Sequence, residues 1–215
     1  MALVGLVVLA GACTNGTDRE MALMQTAQAE PPTSMPAASK PPASKSAAAG
    51  DSIFPMEIMI ARFQAGRPAV TSLADGAARS RDALVARVVE AVADSSAAAL
   101  QALTMNAAEF GHLYFPTSIY SREPYAQPPE VTWLLMSQNS RKGLVRLLRE
   151  YGGQSLVTAG YNCGGEPKVE GSNRIHERCT VRIRAADGRV EEVRLFGSII
   201  ERAGRFKLVS LSNQL

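Results

Sequence analysis

Glu109, His112 and Tyr114 are the residues whose types and spacing come closest to a catalytic set. Residues three apart share one face of a helix, so the carboxyl group of Glu109 and the imidazole of His112 could form a hydrogen-bonded pair. Such a pair could transfer protons near neutral pH, with the phenol of Tyr114 beside it. A single histidine among aromatic and aliphatic neighbours is more often a packing residue than a base. We therefore expect a domain without catalytic activity, and name these three residues as the catalytic candidates.

Cys163, His176 and Cys179 offer a second chemistry, because cysteine and histidine are common zinc ligands. A structural zinc site usually needs four protein ligands, and a fourth Cys or His is missing if Cys13 serves another purpose. Residue alternation places Cys163 and Cys179 on the same face of neighbouring strands. A disulfide between them would close a loop of about 16 residues and stabilise the fold by on the order of 3 kcal/mol. We expect this disulfide in an oxidising compartment, with no metal and no cofactor.

The strands that would carry these cysteines are predicted over Ser155–Leu215. Apolar and polar residues alternate from 179 to 184, which is the period of a half-buried strand. Asp187-Gly188 and Ala203-Gly204 are typical of tight turns between antiparallel strands. This part of the chain is therefore predicted to be an antiparallel sheet.

Two runs predict details of that sheet. The odd-numbered residues from Val157 to Cys163 are apolar or small, so all four are expected on its apolar face. Val193–Ile200 is expected to be one strand, with Gly197 permitting a bend in its middle.

The chain before residue 152 is predicted to be helical. Its clearest helix is Arg81–Ala93, whose leucine and valines form one apolar stripe. The other helices are expected near 53–65 and 97–104, after Asn106 as a cap, from Pro129, and after Ser140 as a cap. Residues 117–127 are expected to form a loop. Helices followed by strands indicate an α+β fold, not a parallel α/β sheet.

A long first helix, short helices around an aromatic-proline turn, and closing strands ending in Gly204–Ser210 resemble the NTF2-like (cystatin-like, cone-shaped) superfamily over about 72–215. The resemblance implies helices packed in the concave face of a strongly bent antiparallel sheet, with a conical pocket between them. The superfamily contains isomerases, hydratases, dehydratases, ligand binders and dimerising modules, so it implies no single activity. No residue corresponds to the carboxylate base of a ketosteroid isomerase, because the aspartates at 82, 94 and 187 suit helix ends or a hairpin.

The first residues resemble a bacterial lipoprotein signal peptide with its lipobox. Residues 1–12 are apolar or small and end in Leu9-Ala10-Gly11-Ala12 directly before Cys13. The run is shorter than the roughly 20 residues that span a bilayer, which suits a cleaved signal. The resemblance implies acylation of Cys13, a membrane anchor, and a bacterial cell-envelope location facing the periplasm or cell surface.

These features predict a signal peptide over 1–13, a disordered Ala/Pro/Ser-rich tether over 14–50 and a folded domain over 51–215. The net charge of +3 is spread along the strands, which argues against nucleic-acid binding. The leading hypothesis is a non-catalytic domain that binds a small apolar ligand or a protein partner. One rival is a periplasmic isomerase or hydrolase using Glu109 and His112, and another is a homodimerising scaffold that uses the outer sheet face.

Overall fold

The computed structural model describes residues 54–73 and 76–214, with helices before residue 152 and strands after residue 156. The helical elements are α1 (Met56–Gln64), α2 (Arg81–Ala93), α3 (Ala97–Ala102), α4 (Ala107–Glu109), a π-helical turn (Phe110–Tyr114), two 3-10 turns (Phe115–Thr117 and Ile119–Ser121) and α5 (Pro129–Tyr151). The strands are β1 (Val157–Asn162), β2 (Lys168–Glu170), β3 (Asn173–His176), β4 (Thr180–Arg184), β5 (Val190–Val193), β6 (Ile199–Arg202) and β7 (Arg205–Leu208). The α+β class predicted from the sequence is confirmed.

The predictions for the signal peptide, for Cys13 and for the tether over 14–50 lie outside the described residues. Within the described ranges, no helix combines the length and the hydrophobicity that crossing a bilayer requires.

Side chains that cap the helices fix where α2 and α4 begin. The hydroxyl of Ser80 accepts a hydrogen bond from the amide of Ala83 at 3.1 Å, at the start of α2. Asn106 accepts from the Glu109 amide at 2.9 Å, and the Glu109 carboxylate accepts from the Asn106 amide at 2.9 Å. This reciprocal pair is a capping box, which satisfies two amides that the helix itself leaves unbonded. The predicted bounds of α2 and the predicted cap at Asn106 are confirmed.

The two helices predicted after residue 128 are one helix, α5, of 23 residues. The prediction that Ser140 caps a separate helix is wrong, because its hydroxyl accepts a hydrogen bond from the amide of Leu211 at 2.9 Å. Residues 130–142 contain neither glycine nor proline, so nothing in the backbone interrupts the helix there.

The strands form two antiparallel sheets, in the orders β1-β4-β5 and β2-β3-β6-β7. Two segments, 173–184 and 190–202, contribute strands to both sheets. β3 pairs with β6 in one sheet, and β4 pairs with β5 in the other. His176 lies opposite Ile199, and Val181 lies opposite Val193. Between these two pairs the first segment advances by five residues and the second by six, so the second segment contains one extra residue. The extra residue interrupts pairing over 194–198, so the prediction of one continuous strand over Val193–Ile200 is wrong. Gly197, the predicted bend, lies within this break.

A bulge in β1 also changes the expected face of its residues. Thr158 pairs with Ile183 and Tyr161 pairs with Val181, which leaves two residues of β1 opposite one of β4. One extra residue reverses the side-chain alternation. Val157 is consequently 61% exposed, and the prediction that it lies on the apolar face is wrong. Tyr161, beyond the bulge, packs against the core as predicted.

Two apolar clusters form the core of the part of the chain that the structure describes. One joins α2 and the β1-β4-β5 sheet and includes the buried Cys179. Its sulfur is bonded to that of Cys163 at 2.02 Å, which confirms the predicted disulfide. The other cluster surrounds Phe110, whose ring centroid lies 5.3 Å from that of Phe63 and 5.2 Å from that of Trp133. The second cluster thereby holds α1 and α5 against the π-helical turn.

Candidate functional site

Glu109, the first catalytic candidate, lies at the end of α4 with 0% of its surface exposed. Each of its two carboxylate oxygens lies 3.0 Å from Nζ of Lys207 on β7. Lys207 is itself 2% exposed. The carboxylate thus caps its own helix and neutralises a buried lysine, and removing either charge would leave the other without its ion-pair partner in the core. These contacts favour a structural role for Glu109.

The other two candidates occupy the π-helical turn. His112 is half-buried, and its Nε2 has no hydrogen-bond partner within the described ranges. Tyr114 is buried, and burial, followed by the nearby Glu170 carboxylate, raises the pKa of its phenol. Tyr114 therefore stays protonated at neutral pH and can act as a hydrogen-bond donor. A π-helical turn is often found at functional sites, but its presence alone assigns no reaction.

A cavity of about 260 Å³ opens between α5, residues 101–105 and the chain after β7. We call it the Trp133 crevice. Trp133, Met136 and Ser140 line it from α5, since their spacings of three and four place them on one helix face. The remaining lining residues are Gln101, Thr104, Met105, Ser137, Arg141, Leu144, Val209 and Leu211.

Backbone hydrogen bonds hold the far wall of the Trp133 crevice in place. The amide of Met105 donates to the carbonyl of Leu208 at 2.8 Å, and the amide of Leu208 donates to the carbonyl of Leu103 at 2.9 Å. These bonds tie residues 103–105 to the end of β7. Met105 and Val209, which both line the crevice, are consequently held next to the same backbone junction.

The chain after β7 is fixed against α5 at Gly143. A Cβ atom at this position would lie 1.8 Å from the carbonyl oxygen of Leu211, so only glycine permits the approach. The side-chain amide of Asn213 donates to the carbonyl of Gly143 at 2.9 Å. Helix α5 and the chain after β7, which form two walls of the crevice, are therefore joined by direct contacts.

The chemistry of the Trp133 crevice suits an apolar ligand. Indole, thioether and aliphatic surfaces form most of its wall, and Arg141 is the one ionisable residue among the described residues that line it. Ligand sites in proteins are mostly apolar, with a few polar groups that orient the ligand. A small hydrophobic molecule with at most one polar end matches this wall.

A second, more polar crevice of about 390 Å³ lies along the neighbouring face of α5. Thr132 and Asn139 line it from α5, and Tyr114 and Tyr120 line it from the turns before the helix. It shares Met136 and Val209 with the Trp133 crevice. Tyr114 is thus placed beside a cavity, whereas Glu109 is directed toward Lys207.

The zinc alternative for Cys163, His176 and Cys179 is excluded by the disulfide, since both sulfurs are covalently joined. His176 instead links α2 to the sheet. Its Nε2 lies 2.9 Å from the Glu201 carboxylate, and its Nδ1 lies 3.3 Å from a guanidinium nitrogen of Arg81. A guanidinium can only donate, so Nδ1 faces a donor and Nε2 faces the carboxylate of Glu201. His176 therefore bridges a charged residue at the start of α2 and a charged residue on β6.

Sequence patterns alone do not mark Trp133, Met136 or Lys207 as important residues. Trp133 and Met136 are three residues apart on a predicted helix, and this spacing could have marked a shared face. Lys207 carries no such signal, because an alternating strand with a lysine normally predicts an exposed side chain.

Comparison with protein-family models, with curated proteins and with solved structures finds no match to this chain. Function must therefore be inferred from the geometry of the described side chains.

Proposed function

We propose that this chain is a lipid-anchored protein of the bacterial cell envelope whose folded domain binds a small apolar molecule without catalysing a reaction. The observation that carries this proposal is the Trp133 crevice, which is a cavity of about 260 Å³ with a largely apolar wall and a backbone-fixed frame. Lipid anchoring is supported by the run of residues that precedes Cys13.

The proposal includes an NTF2-like fold for the domain. This fold is supported by the pairing of segments 173–184 and 190–202. Both segments continue from one sheet into the other, and the register of their pairing changes by one residue between the sheets. An extra residue of this kind increases the local twist of a strand pair and bends it. A bent pair of long strands with helices packed on it is what the superfamily resemblance implies.

The rival hypothesis of an isomerase or hydrolase requires Glu109 and His112 to face a substrate together. The carboxylate of Glu109 is fully buried and engaged with Lys207 and with its own helix start. We therefore keep the binding function as the proposal.

Fluorescence of Trp133 tests the binding function, because the chain has a single tryptophan. Titration with 6-bromo-1-hexanol should quench the indole in a saturable manner, since bromine quenches only on contact. Ser137→Phe, which fills the crevice wall, should abolish saturable quenching. Gln138→Phe, on the exposed side of the same helix, should preserve it. Quenching that rises linearly without saturation, or equal saturation in both variants, would contradict the proposal.

Metabolic labelling tests the anchor separately. Radioactive palmitate should attach to the full chain expressed in a bacterium, and Cys13→Ala should remain unlabelled. Absence of label from the unmodified chain would reject the anchor and leave the binding function untouched.

A further inference from the structure

A further cleft, of about 500 Å³, lies between strand β2 and the segment 119–125. We call it the β2 cleft. Strand β2 is at one end of its sheet, in the order β2-β3-β6-β7, so only one of its sides is paired within that sheet. The cleft is formed by different residues from those of the Trp133 crevice. It is therefore a separate candidate site.

Glu170 is the unusual residue of the β2 cleft. It lines the cleft with only 8% of its surface exposed, and its Oε2 atom is buried with no hydrogen-bond partner within the described ranges. A buried polar atom without a partner is unfavourable, and more so if it is charged. Burial raises the pKa of Glu170, against the opposing effects of Arg122 and Lys168. The carboxyl group therefore lacks the donor that would stabilise its ionised form.

The cations beside Glu170 are engaged elsewhere. Nζ of Lys168 lies 2.7 Å from the carboxylate of Glu177. A guanidinium nitrogen of Arg122 donates to the carbonyl of Thr117 at 2.7 Å. Glu123 also lines the cleft, so the cleft and its immediate ion pair hold three carboxyl groups, those of Glu123, Glu170 and Glu177, and two cations. The local balance of charge favours a positively charged ligand.

The outer wall of the β2 cleft is hydrophobic and open to solvent. Tyr125 is 60% exposed and Val169 is 71% exposed, and Ile119 and Pro124 complete this surface. An aromatic face attracts cations, and aliphatic side chains pack against an alkyl chain. A buried carboxyl group and an exposed aromatic residue in one cleft together match an alkyl cation.

We propose that the β2 cleft binds an aliphatic ammonium group, with Glu170 as its hydrogen-bond acceptor and counter-ion and Tyr125 covering its alkyl chain. The ammonium group could belong to a free amine or to a lysine side chain of a polypeptide, since both present the same chemistry. This inference is independent of the Trp133 crevice and of the anchor.

Calorimetric titration of the full chain with n-pentylammonium tests the proposal, with 1-pentanol as a neutral probe of the same size. The ammonium should bind about tenfold or more tightly than the alcohol, because a hydrogen bond to a charged group contributes about 1.5–3 kcal/mol. Glu170→Gln should remove this preference, whereas Glu123→Gln should retain it. Tyr125→Ala alters a side chain that is 60% exposed, and it should weaken binding by about threefold to tenfold.

Equal binding of the alcohol and the ammonium would overturn the proposal, as would an unchanged ammonium affinity in Glu170→Gln. Preferential binding of propionate would also overturn it, by assigning the cleft to an anion at Arg122. Near-ultraviolet circular dichroism establishes that Glu170→Gln is folded. A blocked Gly-Lys-Gly peptide then distinguishes a polypeptide lysine from a free amine as the source of the ammonium group. Tighter binding of the peptide than of n-pentylammonium assigns the site to a polypeptide lysine, and weaker binding assigns it to a free amine.

Discussion

Lys207 and Glu109 form an ion pair in which neither side chain is more than 2% exposed. Such a pair recovers the cost of removing two charges from water only while both partners are present. The neighbouring capping box adds a hydrogen bond to the same carboxylate. The pair therefore fixes β7 against α4, and its contribution should appear in stability.

Lys207→Met should lower the free energy of unfolding by about 3–5 kcal/mol, because Glu109 keeps its buried charge and loses the cation. Lys168→Met removes an exposed ion pair with Glu177 and should cost less than about 1 kcal/mol. Urea denaturation of both variants provides the comparison. Adding Glu109→Gln to Lys207→Met should recover part of the loss, since both charges are then absent. Equal costs for the two lysine variants would mean that the buried pair contributes no more than the exposed one.

Glu170 should make stability depend on pH. Burial raises its pKa in the folded protein, so the folded state holds the proton more tightly than the unfolded state does. Stability should therefore fall as pH rises from the ordinary glutamate pKa through the raised value. Glu170→Gln cannot ionise and should lose less stability over that interval, as measured by urea unfolding at several pH values. Glu123→Gln is the control, and identical pH profiles for the wild type and Glu170→Gln would refute the assignment.

Helix α5 and the chain after β7 act as one unit. The carbonyl of Leu211 lies against Gly143, the amide of Leu211 bonds to Ser140, and Asn213 bonds to the Gly143 carbonyl. These contacts join the two walls of the Trp133 crevice. The shape of the crevice therefore depends on a glycine in the middle of a helix, where glycine is normally unfavourable.

Gly143→Ala should destabilise the protein by about 1–3 kcal/mol, although alanine favours an isolated helix by about 1 kcal/mol. The added Cβ would lie 1.8 Å from the Leu211 carbonyl oxygen, so one backbone must move. Gln138→Ala, at an exposed position of α5, should change stability by less than about 0.5 kcal/mol. Thermal denaturation compares the two variants. A Gly143→Ala protein that is more stable than the unmodified protein would show that the chain after β7 does not pack on α5.

The disulfide connects the end of β1 to the start of β4, across a sequence separation of 16 residues. Cys163→Ala with Cys179→Ala should lower the free energy of unfolding by on the order of 3 kcal/mol, because the unfolded chain gains freedom. Urea denaturation measures the loss, and adding a reductant should affect the unmodified chain but not the double variant. Non-reducing peptide mass mapping should find these two cysteines linked. Recovery of both as alkylated thiols would contradict the bond.

Several features of the fold were predictable because they depend on residues close together in sequence. The spacing of apolar residues predicts the bounds of α2, and the position of Asn106 before a helical run predicts that it is a cap. The turns at Gly188 and Gly204 followed from residues that tolerate positive φ, which both glycines adopt. The candidate site was less predictable: Tyr114 does border a crevice, but the partner of Glu109 is a lysine 98 residues away.

By itself the sequence determined the α+β class, the cap at Asn106, the hairpins at Gly188 and Gly204, and the pairing of Cys163 with Cys179, since these follow from local periodicity, turn chemistry and cysteine count. Only the tertiary structure decided the bulge in β1, the break over 194–198, the burial of Lys207 and the position of Glu170 beside an open cleft. These depend on which distant segments meet and in what register. A shift of one residue reverses the face of a strand without changing its pattern, so no local signal can specify it.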